Sequence, residues 1–143
     1  MKTIRISDEA PNGPWLAVDL PGILRAVRLR AARSVWRASA VEAEIVGHPV
    51  VEREEIWATG EAADELDKLA RSGARASFTR LNRIVRRAGQ IIWGEFKGYD
   101  RASTVDPWII IIAFDSSWFE VRSSDDEALS RLQAAFKSVT HVA

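Results

Sequence analysis

The sequence predicts an α+β fold, with an antiparallel or mixed sheet of about four strands packed by about four helices. Three observations carry this expectation. Phe78, Leu81, Ile84, Val85 and Ala88 form an apolar stripe at helical spacing. Ile109-Ile110-Ile111-Ile112 is β-branched without alternation, as a central strand covered on both faces requires. The strands also gather late in the chain instead of alternating with helices, which disfavours a doubly wound nucleotide-binding fold.

Taken in order, Leu16-Ala17-Val18 reads as a short strand. Asp19 then offers an N-cap, with Pro21 just inside a helix over about 20–31. Alternation from Val35 to Val46 predicts one long strand, which Gly47-His48-Pro49 breaks. Residues 48–60 lack a clear period and read as loop. From Glu61 the spacing of Ala62, Leu66 and Leu69 predicts a helix that stops at Ser72-Gly73. Ser77 caps the next helix, which presents Arg80, Arg83 and Arg87 to water and ends at Gly89. Strands follow over about 90–98, 107–114 and 117–122, the last two joined by a tight turn at Asp115-Ser116-Ser117. A last helix over about 125–138 starts from Ser124, with Asp125, Asp126 and Glu127 in its positive first turn.

One domain over residues 1–143 is expected, because the length suits a single core and the composition, 47% hydrophobic and 28% charged, is that of a globular chain. The N-terminus lacks an apolar leader pattern and the longest apolar run is too short to span a bilayer, so no membrane association is expected. With no cysteine, disulfides, thiolate metal sites and cysteine nucleophiles are excluded, and the cytoplasm is the expected compartment. Net charge is zero, yet the charges fall in blocks. Residues 19–40 are arginine-rich, 41–70 acidic and 71–101 basic again. Neighbouring elements of opposite sign are expected to neutralise one another.

No phosphate-binding Gly-x-x-x-x-Gly-Lys, His-Glu-x-x-His, Gly-x-Ser-x-Gly or Gly-x-Gly-x-x-Gly motif occurs. Of two histidines, His141 lies near a terminus and His48 sits in a Gly-His-Pro turn, so neither a metal nor another cofactor is expected. Carboxylates on or beside strands (Glu42, Glu44, Glu95, Asp115 and Glu120) leave hydrolysis as an alternative, with Glu95 and Glu120 facing each other across the sheet. Arg80, Arg83, Arg86 and Arg87 leave nucleic-acid binding as a third reading, which the acidic block opposes.

Six tryptophans are unusual in so short a chain. Strand parity puts Trp93, Glu95, Lys97 and Tyr99 on one face, and Trp118, Glu120 and Arg122 on one face of their own strand. Were those faces to coincide, an amphipathic aromatic surface suited to protein recognition would result, unless a helix covers it.

Gln90-Ile91-Ile92-Trp93-Gly94-Glu95-Phe96-Lys97-Gly98-Tyr99, with Pro107-Trp108-Ile109 and Asp115-Ser116-Ser117-Trp118-Phe119-Glu120-Val121, resembles a pattern in small bacterial proteins of unassigned function. The resemblance covers roughly the last third of the chain and implies no activity. The leading expectation is a non-enzymatic protein-binding module, an immunity-type or accessory factor, with self-association as a further option. Its contact residues would be Trp93, Glu95, Tyr99, Trp118, Glu120 and Arg122, together with Glu52, Glu54 and Glu55 of the acidic segment.

Overall fold

In the computed structural model, which describes residues 1–13, 15–48 and 54–142, eight strands form one antiparallel sheet with five helices. The strands are β1 (Lys2–Ile6), β2 (Val35–Ser39), β3 (Trp57–Gly60), β4 (Ala76–Ser77), β5 (Ala88–Tyr99), β6 (Ile109–Phe114), β7 (Trp118–Ser123) and β8 (Val139–Val142). The helices are α1 (Leu20–Ala26), α2 (Arg28–Ala31), α3 (Ala63–Ser72), α4 (Phe78–Arg87) and α5 (Asp126–Ala135). The α+β class stands, but with eight strands where about four were expected. The sheet runs β4-β2-β5-β6-β7-β1-β8, and β3 pairs with β5. The long β5 takes β2 along Glu95–Tyr99 and β3 along Ala88–Trp93.

Alternation sends Ile4, Ile6, Trp36, Ala38, Phe96, Ile109, Ile111, Phe119 and Val121 into the larger core, under the helices. In that layer α1 packs against both α5 and α4, and α4 packs against α3. Trp36 is fully buried, donates from Nε1 to the Ala31 carbonyl (3.1 Å), and meets Trp108 edge to face at 6.4 Å. Gly98 makes room for it, because a Cβ there would lie 2.9 Å from the Trp36 ring and 2.8 Å from Ile109.

Several expected boundaries move, each for a physical reason. The helix expected over 20–31 divides at Val27, whose φ of −104° and ψ of 19° leave the helical range. Asp19 does cap α1, accepting from Gly22 N at 2.8 Å. Leu16-Ala17-Val18 forms only an isolated bridge, Glu9 to Leu16. The strand expected to reach Val46 stops at Ser39, and residues 40–48 cross the sheet face that the helices leave open. Within the expected loop 48–60, residues 57–60 form β3. Helix α4 does not wait for Gly89: it passes at Ala88 directly into β5. Asp125, not Ser124, caps α5, accepting from Ala128 N at 3.1 Å. Strands β1 and β8, absent from the expected set, complete one side of the sheet. Gly73 ends α3 in the left-handed region, and Asp115 and Ser116 adopt the same region to close the β6–β7 hairpin.

Candidate functional site

Strand register brings the expected faces together. Trp93, Phe114 and Trp118 form one row across β5, β6 and β7, and Glu95, Ile112, Glu120 and Arg5 form the next, ending on β1. Lys97, Ile110 and Arg122 form a third. Phe114 stacks on Trp118 at 4.1 Å and meets Trp93 edge to face at 5.0 Å. The aromatic and charged surface therefore exists, but it is covered.

Its cover is the segment 40–48 rather than a helix. Val41 and Ile45 are buried in a second, smaller core with Trp93, Ile112 and Phe114. His48 lies against Phe114 (4.6 Å) and Trp118 (5.0 Å). This strap is also tied by charge. Glu95 accepts from the backbone N–H groups of Glu42 (3.3 Å) and Ala43 (3.0 Å), while the Arg5 and Arg122 guanidiniums donate to the carbonyls of Val46 and Glu44. Such bonds to ionised groups are stronger than neutral ones.

Both central carboxylates are fully buried and both are neutralised. Glu120 is paired with Arg5 (3.2 Å) and Arg122 (2.6 Å). Glu95 Oε2 faces Lys97 Nζ at 3.3 Å without an aligned hydrogen bond. Burial pulls the Lys97 ammonium down, but Glu95 and Glu42 outweigh it and hold the group above its ordinary value. Ile112 stands between Glu95 and Glu120, whose backbones are two strand spacings, about 9.5 Å, apart. Glu42 pairs with Arg37 and Lys97, whereas Glu44 and Asp115 are exposed. Each buried acid is thus held by cations, and neither carboxylate is open to solvent. Among the described residues no group of three or more His, Asp or Glu is arranged to hold a metal ion.

The remaining expected contact residues are dispersed. Tyr99 is buried beneath Arg75, whose guanidinium lies 3.5 Å from the ring centre. Trp118 and Arg122 are half-buried. Glu52 lies outside the described residues. Glu54 and Glu55 are exposed, and Glu55 accepts from Trp57 Nε1 and pairs with Arg71. The exposed tryptophans are Trp15 and Trp57, at 58% and 45%, neither of which parity had singled out. Trp15 borders a cavity of about 380 Å³, walled also by Val18, Pro21, Gly89, Ile91 and Phe119.

A basic feature lies on the helix layer. Where α1 and α2 meet α4, a groove of about 380 Å³ is lined by Arg28, Phe78, Thr79, Asn82, Arg83 and Arg86. It adjoins a smaller recess of about 120 Å³ that adds Arg25 and Pro21. Neither is lined by an acid, whereas Asp19, Asp125 with Glu127, and Glu55 with Asp64 and Asp67 line three other cavities. The four arginines are exposed, and none has an ion-pair partner among the described residues. Arg87, one position beyond Arg86, is by contrast neutralised by Glu65 at 3.0 Å. Arg83 and Arg86 were visible as part of a basic helix. Arg25 on α1 and Arg28 on α2 join them only where those helices come beside α4. Compared with known proteins, the chain matches no family model, no curated protein and no solved structure.

Proposed function

We propose that this chain is a non-enzymatic binding module that recognises an acidic segment of another protein, as an immunity-type or accessory factor would. The observation that carries the reading is the groove of four unneutralised arginines, in a chain whose buried carboxylates are sealed and paired. Arginine's planar fork suits carboxylate recognition, and arginines are enriched at interface hot spots. This reading puts the contact surface on the helix layer and not on the tryptophan face.

Charge layout favours a short acidic segment over a long polyanion. The helices on either side of this layer begin with acids: Asp64 and Glu65 on α3, which packs on α4, and Asp126 and Glu127 on α5, which packs on α1. A nucleic-acid backbone running across the layer would meet them, whereas a local acidic peptide would not. The hydrolase alternative draws less support, because Glu95 and Glu120 are covered and separated by Ile112.

Fluorescence anisotropy with a labelled Glu/Asp-rich peptide tests the reading. Saturable binding is expected at low salt, weakening as ionic strength rises and falling about tenfold or more in Arg28→Ala/Arg86→Ala. Tighter binding of a single-stranded oligonucleotide than of the peptide would favour the nucleic-acid reading instead.

A further inference from the structure

We infer that the recess at the end of this groove is a phosphate-monoester pocket, so that the recognised segment is a phosphorylated acidic peptide. The inference rests on the binding reading above and narrows its ligand. Three arginines, Arg25 on α1, Arg28 on α2 and Arg86 on α4, line one recess with Asn82. A carboxylate carries one charge and two oxygens, which a single arginine satisfies with a bidentate pair. Three arginines exceed that need. A phosphate monoester brings close to two charges and three terminal oxygens, and so can engage several forks together.

Size and lining agree with such a group. The recess, of about 120 Å³, has room for a phosphoryl head. Pro21 and the nearly buried Phe78 form apolar walls, which strengthen the attraction between the arginines and an entering anion. With no acid in the lining, a dianion meets no opposing charge there. Gathering three like charges on one recess is unfavourable without an anion, which gives the phosphate a large differential effect. The groove runs on from the recess past Arg83, Thr79 and Ala32, leaving room for the acidic chain beside the phosphoserine or phosphothreonine.

Isothermal titration of the full chain with three probes tests this: a phosphoserine peptide with acidic flanks, the same peptide unphosphorylated, and inorganic phosphate. The phosphopeptide is expected to bind at least about tenfold more tightly than its unphosphorylated twin. That preference should shrink as pH falls through about 6, where the phosphate gains its second proton. Arg28→Ala and Arg86→Ala, at exposed positions, should abolish the preference while circular dichroism stays unchanged, and Arg28→Lys should lose most of it, because an ammonium lacks the fork. Equal affinity for the two peptides, lost in the arginine variants, would overturn the phosphate pocket and leave the acidic-partner reading standing. Inorganic phosphate binding as tightly as the phosphopeptide would overturn the peptide as its source. A preference that survives in Arg28→Ala/Arg86→Ala would place the phosphate elsewhere, and no binding of any probe would overturn both readings.

Discussion

Gly98 and Glu95 show how single side chains constrain this sheet from opposite faces. On the helix side, the Trp36 ring and Ile109 occupy the space that a Cβ at position 98 would need. Gly98→Ala should therefore cost about 1–3 kcal/mol through overpacking, read as a lower urea midpoint with an unchanged slope. A change below about 0.5 kcal/mol would mean that the indole moves aside freely. On the strap side, Glu95 joins the backbone of residues 42 and 43 to Lys97. Glu95→Ala leaves two N–H donors without their partner and the part-buried Lys97 ammonium with Glu42 alone, and a loss of about 3 kcal/mol is expected. Glu95→Gln keeps an acceptor for the two N–H groups and should recover part of that loss. A catalytic Glu95 would behave differently: both variants would leave the melting temperature nearly unchanged.

At the scale of elements, local chemistry made α4 and β6 legible in the sequence and left the strap illegible. The stripe from Phe78 to Val85 and the Ile109–Ile112 run each report their own surroundings, and both elements lie where their periods predict. Residues 40–46 continue the alternation of β2, but the N–H groups of Glu42 and Ala43 are satisfied by a carboxylate 53 and 52 residues away instead of by a neighbouring strand. Alternation alone therefore extended β2 into a segment that leaves the sheet. Strand β1 did carry a signal, in the inward Ile4 and Ile6 with Arg5 between them, but two inward residues and charged neighbours make a weak one. Loop geometry links elements too. Arg30 joins Asp100, beyond β5, to Asp125, the cap of α5, at 2.8 and 2.9 Å. The hydrogen bond to Arg30 holds the Asp100 carboxyl below its ordinary value. For Asp125, burial pushes upward, but the Ala128 N–H and Arg30 outweigh it, and the net displacement is also downward. Carboxyls depressed in the folded state add stability that is present above their unfolded value, about pH 4, and is lost as pH falls through the lower folded values. Thermal melts should therefore show Arg30→Ala destabilised at pH 7, with the gap to the parent chain narrowing below about pH 4. A gap that stayed constant down to pH 2 would show that the triad does not couple folding to protonation.

Across the whole molecule, the two faces of the sheet differ in how firmly they are closed, and the difference predicts how the molecule opens. The helix layer closes a core that extends from Ile4 to Leu132, whereas the strap closes a small one of five buried residues, Val41, Ile45, Trp93, Ile112 and Phe114. Only two of these five, Val41 and Ile45, belong to the strap. The apolar area lost when the strap lifts is consequently small, and the main resistance comes from its bonds to Glu95, Arg5 and Arg122. Opening would expose charged groups to water, which compensates them, while the helix layer and the sheet remain formed. The strap should then behave as a separate unit of lower stability than the sheet beneath it. Native-state hydrogen exchange measures this directly. The amides of Glu42 and Ala43 should exchange through an opening several kcal/mol less costly than those of Ile111 and Val121, which should exchange only on global unfolding. Raised salt should lower the strap's opening free energy more than that of the sheet, because the ion pairs that the strap's exposed Glu42 makes with Arg37 and Lys97 are screened while apolar burial is not. Matching protection at Ala43 and Val121, insensitive to salt, would instead show one cooperative unit with the strap as part of its core.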